Sequence, residues 1–223
     1  MRVVIVGAGT GIGKTHLGVA LVHALTQEET PAVGLKPVES GLCGGRSDGE
    51  LLAAEGMFHV KHSQPYAFAR PVSPHLAARE AGVIIEVAQI QAWVTAHQAT
   101  WTVVESAGAL LSPLGGGLTN LDLTRALSPD AVLLVALDRL GVLHEVSACV
   151  LALRVLGVGM PEPLVILQAP ELPDASTGSN AGELHLLKIV GNALTIPRGD
   201  PGSAPVQEAA RQVLAALRRR VLG

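Results

Sequence analysis

Cysteine is nearly absent from this chain: Cys43 and Cys149 are the only two in 223 residues. Two thiols so far apart exclude a disulfide framework and a cysteine-built zinc site, and they fit a reducing cytoplasm. Both read as ordinary thiols, Cys149 as a buried one. Blocks of like charge are also lacking. The formal net charge is −3 and the longest basic run is Arg218-Arg219-Arg220, so the chain carries no nucleic-acid or anionic-membrane footprint. The triplet reads instead as the solvated end of a helix, where cations suit the dipole. Mean hydropathy is positive at +0.41, yet no apolar run approaches the roughly eighteen residues of a membrane span. An uncharged N-terminal segment followed by a cleavage site is missing too, which excludes a signal peptide and predicts a cytoplasmic protein that starts at Met1. Internal repeats and low-complexity tracts are absent, and the length suits a single domain over residues 1–223.

The hydrophobicity sits in short blocks, as in a parallel sheet covered on both faces. VVIVG (3–7), Ala32 to Leu35, WTVVES (101–106), AVLLVAL (131–137) and PLVILQ (163–168) are the strand candidates. Helical patterns alternate with them: Leu17, Ala20, Leu21, Ala24 and Leu25 after Lys14; Val87, Ile90 and Val94; Leu143, Val146, Val150 and Leu153. The alternation predicts an α/β fold, a doubly wound and mostly parallel sheet in three αβα layers. PELPDASTGSNAGE (170–183) reads as a mobile surface loop, Lys188 to Ile196 as the last strand and Pro205 to Leu222 as a closing helix.

In such a sheet ligands gather beyond the carboxyl ends of the strands. The first strand runs into GAGTGIGKT, whose glycines, Lys14 and Thr15 read as a phosphate-binding P-loop: backbone N–H groups and Lys14 face the phosphates, and the Thr15 hydroxyl faces Mg²⁺. Its first glycine is Gly7, one position earlier than the usual G-x-x-x-x-G-K-[ST] spacing. After the second strand, Lys36 in KPVESG places a second ammonium on the same edge, suited to several negative oxygens. Ser47 to Glu50 fits a capping box, leaving Asp48 as a first-turn acid or a Mg²⁺ ligand. Glu105 ends its strand where a metal-binding carboxylate belongs. His59 and His62 in FHVKH read as surface residues, since no third ligand lies near in sequence. SPLGGG (112–117) reads as a lid loop.

These motifs, in this order, resemble the dethiobiotin synthetase family. The longer loop spacing, KPVESG (36–41), Ser47-Asp48, SPHLAA (73–78), Glu105 with a following SPL, and Leu140-Gly141 span most of the chain. The resemblance implies a P-loop ATP-binding fold and a ligase that takes 7,8-diaminopelargonate, CO₂ and MgATP to dethiobiotin through a carbamate and its phosphoric anhydride. It implies Lys14 and Lys36 as catalytic residues. Gly11, Ile12, Gly13, Lys14, Thr15, His16, Asp48 and Glu105 would hold the nucleotide phosphates, with Gln168, Pro197, Arg198 and Gly199 around the adenine. Thr15, Asp48 and Glu105 would surround Mg²⁺. Thr10, Lys36 and Ser40 would meet the diamine or its carbamate, and Gly141, Val142, Leu143 and His144 would hold its distant carboxylate from the partner of a homodimer.

Departures fall on the diamine side. Gly9 stands where the family has Asp, Ser106 and Ala109 replace glycines, His144 replaces Asn, and Gln168 replaces the adenine-reading Asn. Two other readings stay open: a related P-loop ligase acting on another amine or carboxylate, and a non-catalytic nucleotide-binding paralogue.

Overall fold

A computed structural model describes residues 1–42, 44–57, 60 and 63–222, the last by its backbone. The readings of Cys43, His59 and His62 lie outside these residues. The chain runs β1 (Arg2–Gly7), α1 (Lys14–Gln27), β2 (Ala32–Leu35), β3 (Val38–Ser40), α2 (Asp48–Glu55), β4 (Tyr66–Phe68), α3 (Pro74–Glu80), α4 (Val87–Ala96), β5 (Trp101–Glu105), β6 (Pro113–Gly115), β7 (Leu118–Thr119), α5 (Asn120–Ala126), β8 (Ala131–Leu137), α6 (Val142–Leu156), β9 (Leu164–Gln168), α7 (Asn180–Leu186), β10 (Ala193–Ile196) and α8 (Ala204–Leu222).

Six strands form one parallel sheet in the order β10-β9-β8-β1-β5-β2. Alternate residues of the same strands feed two cores. Val3 and Ile5 of β1, Val103 of β5 and Leu133 of β8 pack with α1 and α8, whereas Val4, Val6, Val104 and Leu134 pack with α4, α5, α6 and α7 on the other face. Burial on both faces explains why the strands read as unbroken apolar runs. β1 lies at the centre, so the loop that follows it opens where the connections diverge to the two halves of the sheet, the usual ligand crevice of this architecture. Among the described residues no helix is long and apolar enough to cross a membrane.

Three expectations need correction. The segment from 170 is not a free loop: the buried Asp138 carboxylate accepts from Gly178 N at 2.9 Å and Asn180 Nδ2 at 2.7 Å, the Thr177 hydroxyl donates to Asp138 O, and helix α7 already begins at Asn180. The last strand is Ala193–Ile196 rather than 188–196, because Lys188 is left-handed (φ 55°) directly after α7 and the chain turns before extending. Cys149 is half-buried; its surroundings, burial first and Glu145 second, push the thiol up to about 11. SPLGGG forms the antiparallel β6–β7 turn. Short elements missed from sequence include β3, β4 and α5.

One contact ties this frame to the crevice. Leu52 of α2 is fully buried between Gly18 of α1 and Gly34 of β2, and a Cβ at Gly34 would fall 2.7 Å from the Leu52 carbonyl oxygen. The α2 backbone therefore rests on the edge strand because Gly34 has no side chain. Gly34→Ala is expected to destabilise the fold by about 1–3 kcal/mol through overpacking, read as a lowered urea midpoint with an unchanged m-value; an unaltered midpoint would show that α2 is not seated this way.

Candidate active site

The loop after β1 is shaped by backbone rather than by side chains. Gly11 (φ 69°) and Gly13 (φ 94°) both occupy the left-handed region, and Gly13 caps α1 with no side-chain hydrogen bond. The first N–H groups of α1 are thus left to an anion. Lys14 folds back over the loop and donates to Gly9 O at 3.1 Å.

Thr10, Gly11, Ile12, Gly13, Lys14, Thr15, Lys36, Ser40, Asp48 and Glu105 all line one cleft of about 560 Å³. At its floor the Lys36 ammonium, supplied just beyond β2, is held between two carboxylates. It donates to Glu105 Oε1 at 2.8 Å, from the end of β5, and to Asp48 Oδ2, from the first residue of α2. The Thr15 hydroxyl donates to the same Glu105 oxygen at 3.1 Å. Burial alone would lower the Lys36 pKa, but the Glu105 and Asp48 charges outweigh it and raise it. Lys14 shows the opposite balance: burial lowers its pKa and the more distant Glu105 only partly compensates. Burial pushes the Glu105 carboxyl above its ordinary range, opposed by Lys36 and Lys14.

These residues fit a magnesium nucleotide. Glu105 Oε2 is buried with no hydrogen-bond partner, and two carboxylates with a threonine hydroxyl suit Mg²⁺ when phosphate oxygens and water complete the octahedron. A metal held by protein alone is not what they build: among the described residues no group of three or more His, Cys, Asp or Glu side chains could hold one.

Two supporting residues were missed from sequence. Glu39, 6% exposed, accepts from Asp48 N at 2.7 Å, Gly49 N at 3.1 Å and Gln64 Nε2 at 2.9 Å. It therefore anchors the first turn of α2, while Ser47 and Glu50 close the anticipated capping box outside it. Asn120, fully buried, donates through Nδ2 to Ala107 O and Ala109 O and so braces the loop after Glu105. That loop carries no strain from its replaced glycines: its left-handed position is Gly108 (φ 78°), and neither Ser106 nor Ala109 has positive φ. The Thr119–Asp122 capping box of α5 was the signal that could have pointed to Asn120.

The remaining expected residues lie elsewhere on the same sheet edge. Gly141–His144 begin α6; the Val142 side chain belongs to the core, and its N–H is already bonded to Arg139 O. Gln168, at the end of β9, is 2% exposed, with His16 and Ile196 as its hydrogen-bond partners. Ser40 donates to Val72 O at 2.7 Å, which brings 71–74 to the cleft.

Comparison with known proteins decides the family. A family model described as an AAA domain matches residues 1–223. The ATP-dependent dethiobiotin synthetase BioD of Anaeromyxobacter dehalogenans (strain 2CP-C) is 37% identical over 82% of this chain and 83% of its own. The chain belongs to the family of ATP-dependent dethiobiotin synthetases. The enzymes of that name from Nitrosospira multiformis (38% identical over 67% of this chain and 68% of theirs) and Pseudomonas aeruginosa (37% over 70% and 72%) agree. Membership makes the protein an ATP-dependent ligase of biotin biosynthesis. Solved structures confirm the fold of this synthetase chain. The MinC:MinD complex of Aquifex aeolicus matches with a TM-score of 0.58 at 13% identity, covering 96% of both chains, and a ParA family ATPase of Chlorobium tepidum with 0.55 at 17%, covering 99% and 95%.

Two outcomes follow from this geometry. Glu39→Ala leaves the N–H groups of Asp48 and Gly49 unpaired inside the protein, at about 1–3 kcal/mol, and should weaken Mg²⁺-dependent nucleotide binding more than binding measured in EDTA; equal weakening would mean that Glu39 does not position Asp48. Glu105 has a folded pKa raised above 4.5, so its contribution to stability is present below that value and is lost as pH rises through the folded pKa. Glu105→Gln removes this dependence. Urea titrations should show the variant gaining stability relative to the parent as pH rises from 4.5 to neutrality, and a constant difference would contradict the raised pKa.

Proposed function

We propose that the chain closes the ureido ring of dethiobiotin from 7,8-diaminopelargonate, CO₂ and MgATP, and that the cleft floored by Lys36 is where it does so. The carrying observation is the buried Lys36 ammonium, 2.8 Å from Glu105 and in one cleft with the P-loop. Carboxylation of one amine gives a carbamate, phosphoryl transfer gives the mixed anhydride, and attack by the second amine closes the ring and releases phosphate. Little of this needs covalent help from the protein; orientation and charge neutralisation dominate. Lys14 and the N–H groups of Gly11 to His16 hold the β- and γ-phosphates. Lys36 neutralises the carbamate and the charge that develops during transfer. Thr10 and Ser40 contact the diamine or its carbamate. Thr15, Asp48 and Glu105 hold Mg²⁺, which when bound draws charge from the phosphate oxygens.

The same reading includes a single cytoplasmic domain and a homodimer. Exposed apolar residues support the dimer: Leu140 lies in the turn just before α6, and Leu151 and Val155 stand four residues apart on the helix itself. A second copy of the chain seated there would bring that helix start, with the Leu143 N–H group, toward the partner's cleft to receive the carboxylate of the diamine, the Val142 and His144 N–H groups being bonded to Arg139 O and Gly141 O.

Dethiobiotin formation from 7,8-diaminopelargonate, bicarbonate and MgATP tests the reaction. The parent chain should form it and Lys36→Ala should lose about 10²–10³-fold in kcat; nucleotide binding without product would transfer the cleft to another amine or carboxylate. Leu151→Asp should shift sedimentation from dimer to monomer and raise KM for the diamine, whereas a monomeric parent with full activity would refute the shared site.

A further inference from the structure

The sheet order gives the P-loop two distinct flanks. Lys36 lies beyond β2, two strands to one side of β1, and Gln168 ends β9, two strands to the other. A nucleotide whose terminal phosphate faces Lys36 must therefore extend its sugar and base toward the β9 side.

On that side one side chain joins three segments. His16, in the first turn of α1, presents both ring nitrogens to carbonyl oxygens: Nδ1 is 2.8 Å from Gln168 Oε1 and Nε2 is 3.1 Å from Gly199 O. Gln168 Nε2 donates to Ile196 O at 3.3 Å. The Gln168 side chain also lies flat against the P-loop, since a Cβ at Gly13 would fall 2.6 Å from its Oε1. Both ends of this amide are thus engaged within the protein. A carboxamide distinguishes adenine by offering a free donor and a free acceptor side by side to N7 and N6. Here the acceptor faces an imidazole, the donor faces a backbone carbonyl, and the group is buried.

We propose that His16 sets the nucleobase selectivity of this chain: by holding the Gln168 amide in the wall of the site it leaves the base edge unread, so nucleoside triphosphates as a class are accepted. The inference rests on the P-loop cleft being the triphosphate site. Discrimination then comes from the phosphates, which meet Lys14 and the loop N–H groups, and these are identical in ATP, GTP, CTP and UTP. The His16 side chain acts through Gln168, its Nδ1–H donating to Oε1 in the tautomer that leaves Nε2 without a proton for Gly199 O, and that side chain touches no reacting atom.

The test is competition of ATP, GTP, CTP and UTP against a fluorescent ADP analogue in the presence of Mg²⁺, for the parent chain, His16→Val and His16→Gln. The four dissociation constants of the parent should agree within about tenfold. His16→Val releases the amide and should increase the preference for ATP over CTP and UTP by about tenfold or more, the discrimination expected of one bidentate amide–adenine pair. His16→Gln keeps an N–H donor toward Gln168 and should retain the flat profile, which separates the effect from a general disturbance of α1. A parent preference for ATP beyond about 100-fold, or ratios unchanged in His16→Val, would overturn the proposal. No diamine enters the measurement. A flat profile in a chain that makes no dethiobiotin would uphold this inference and refute the proposed reaction, and dethiobiotin made by a chain that binds ATP alone would do the reverse.

Discussion

A single ammonium ion organises the cleft. Lys36 leaves the end of an edge strand and is buried between the carboxylates of Glu105, at the end of β5, and Asp48, at the start of α2. Each partner belongs to a different element, so the ion pair can form only when β2, β5 and α2 are in register. A buried charge without its partners would be strongly unfavourable, and this makes the site sensitive to anything that moves α2. Two features hold α2 in place: Glu39 accepts from its first N–H groups, and Gly34 lets its backbone approach the sheet. Glu39 also lines the cleft, and both features fix where Asp48 stands.

The same ammonium has two possible sets of partners. In the structure it satisfies both carboxylates; under the function proposed above, those carboxylates would instead face the metal of a magnesium nucleotide and Lys36 would face a carbamate or a transferring phosphoryl group. The buried, unpartnered Glu105 Oε2 fits such an exchange. A polar atom left open in the folded protein is a cost to stability that a bound ligand relieves.

Much of the fold was legible from the chain alone. β1, β2, β5, β8 and β9 and the helices α1, α4, α6 and α8 were read close to their observed bounds, because strands buried on both faces and helices buried on one leave strong local patterns. The P-loop, Lys36 and Glu105 were legible for a related reason: each stands at or just after the end of a strand, and parallel strands bring their carboxyl ends to one edge; Asp48 was legible from the Ser47–Glu50 capping box that opens α2. β3, β4, β6 and β7, each of two or three residues, escaped because so short a run carries no periodicity. The loop from 170 was misread because turn-forming residues look alike whether or not a buried acid such as Asp138 gathers them.

What the sequence by itself determined is therefore the chemistry and its edge of the sheet: a P-loop, two lysines and two acids in an order that local pattern and strand direction bring together. Only the tertiary structure decided which groups are free to act. Glu39 looked like one more residue in KPVESG until its carboxylate met the N–H groups of a helix nine residues on. Gln168 read as part of an adenine site, and nothing local showed that His16 and Ile196, distant in sequence, would lie within hydrogen-bond reach of both ends of its amide. Availability of a polar group depends on every neighbour within hydrogen-bond reach, and those neighbours come from long-range contacts that no local pattern encodes.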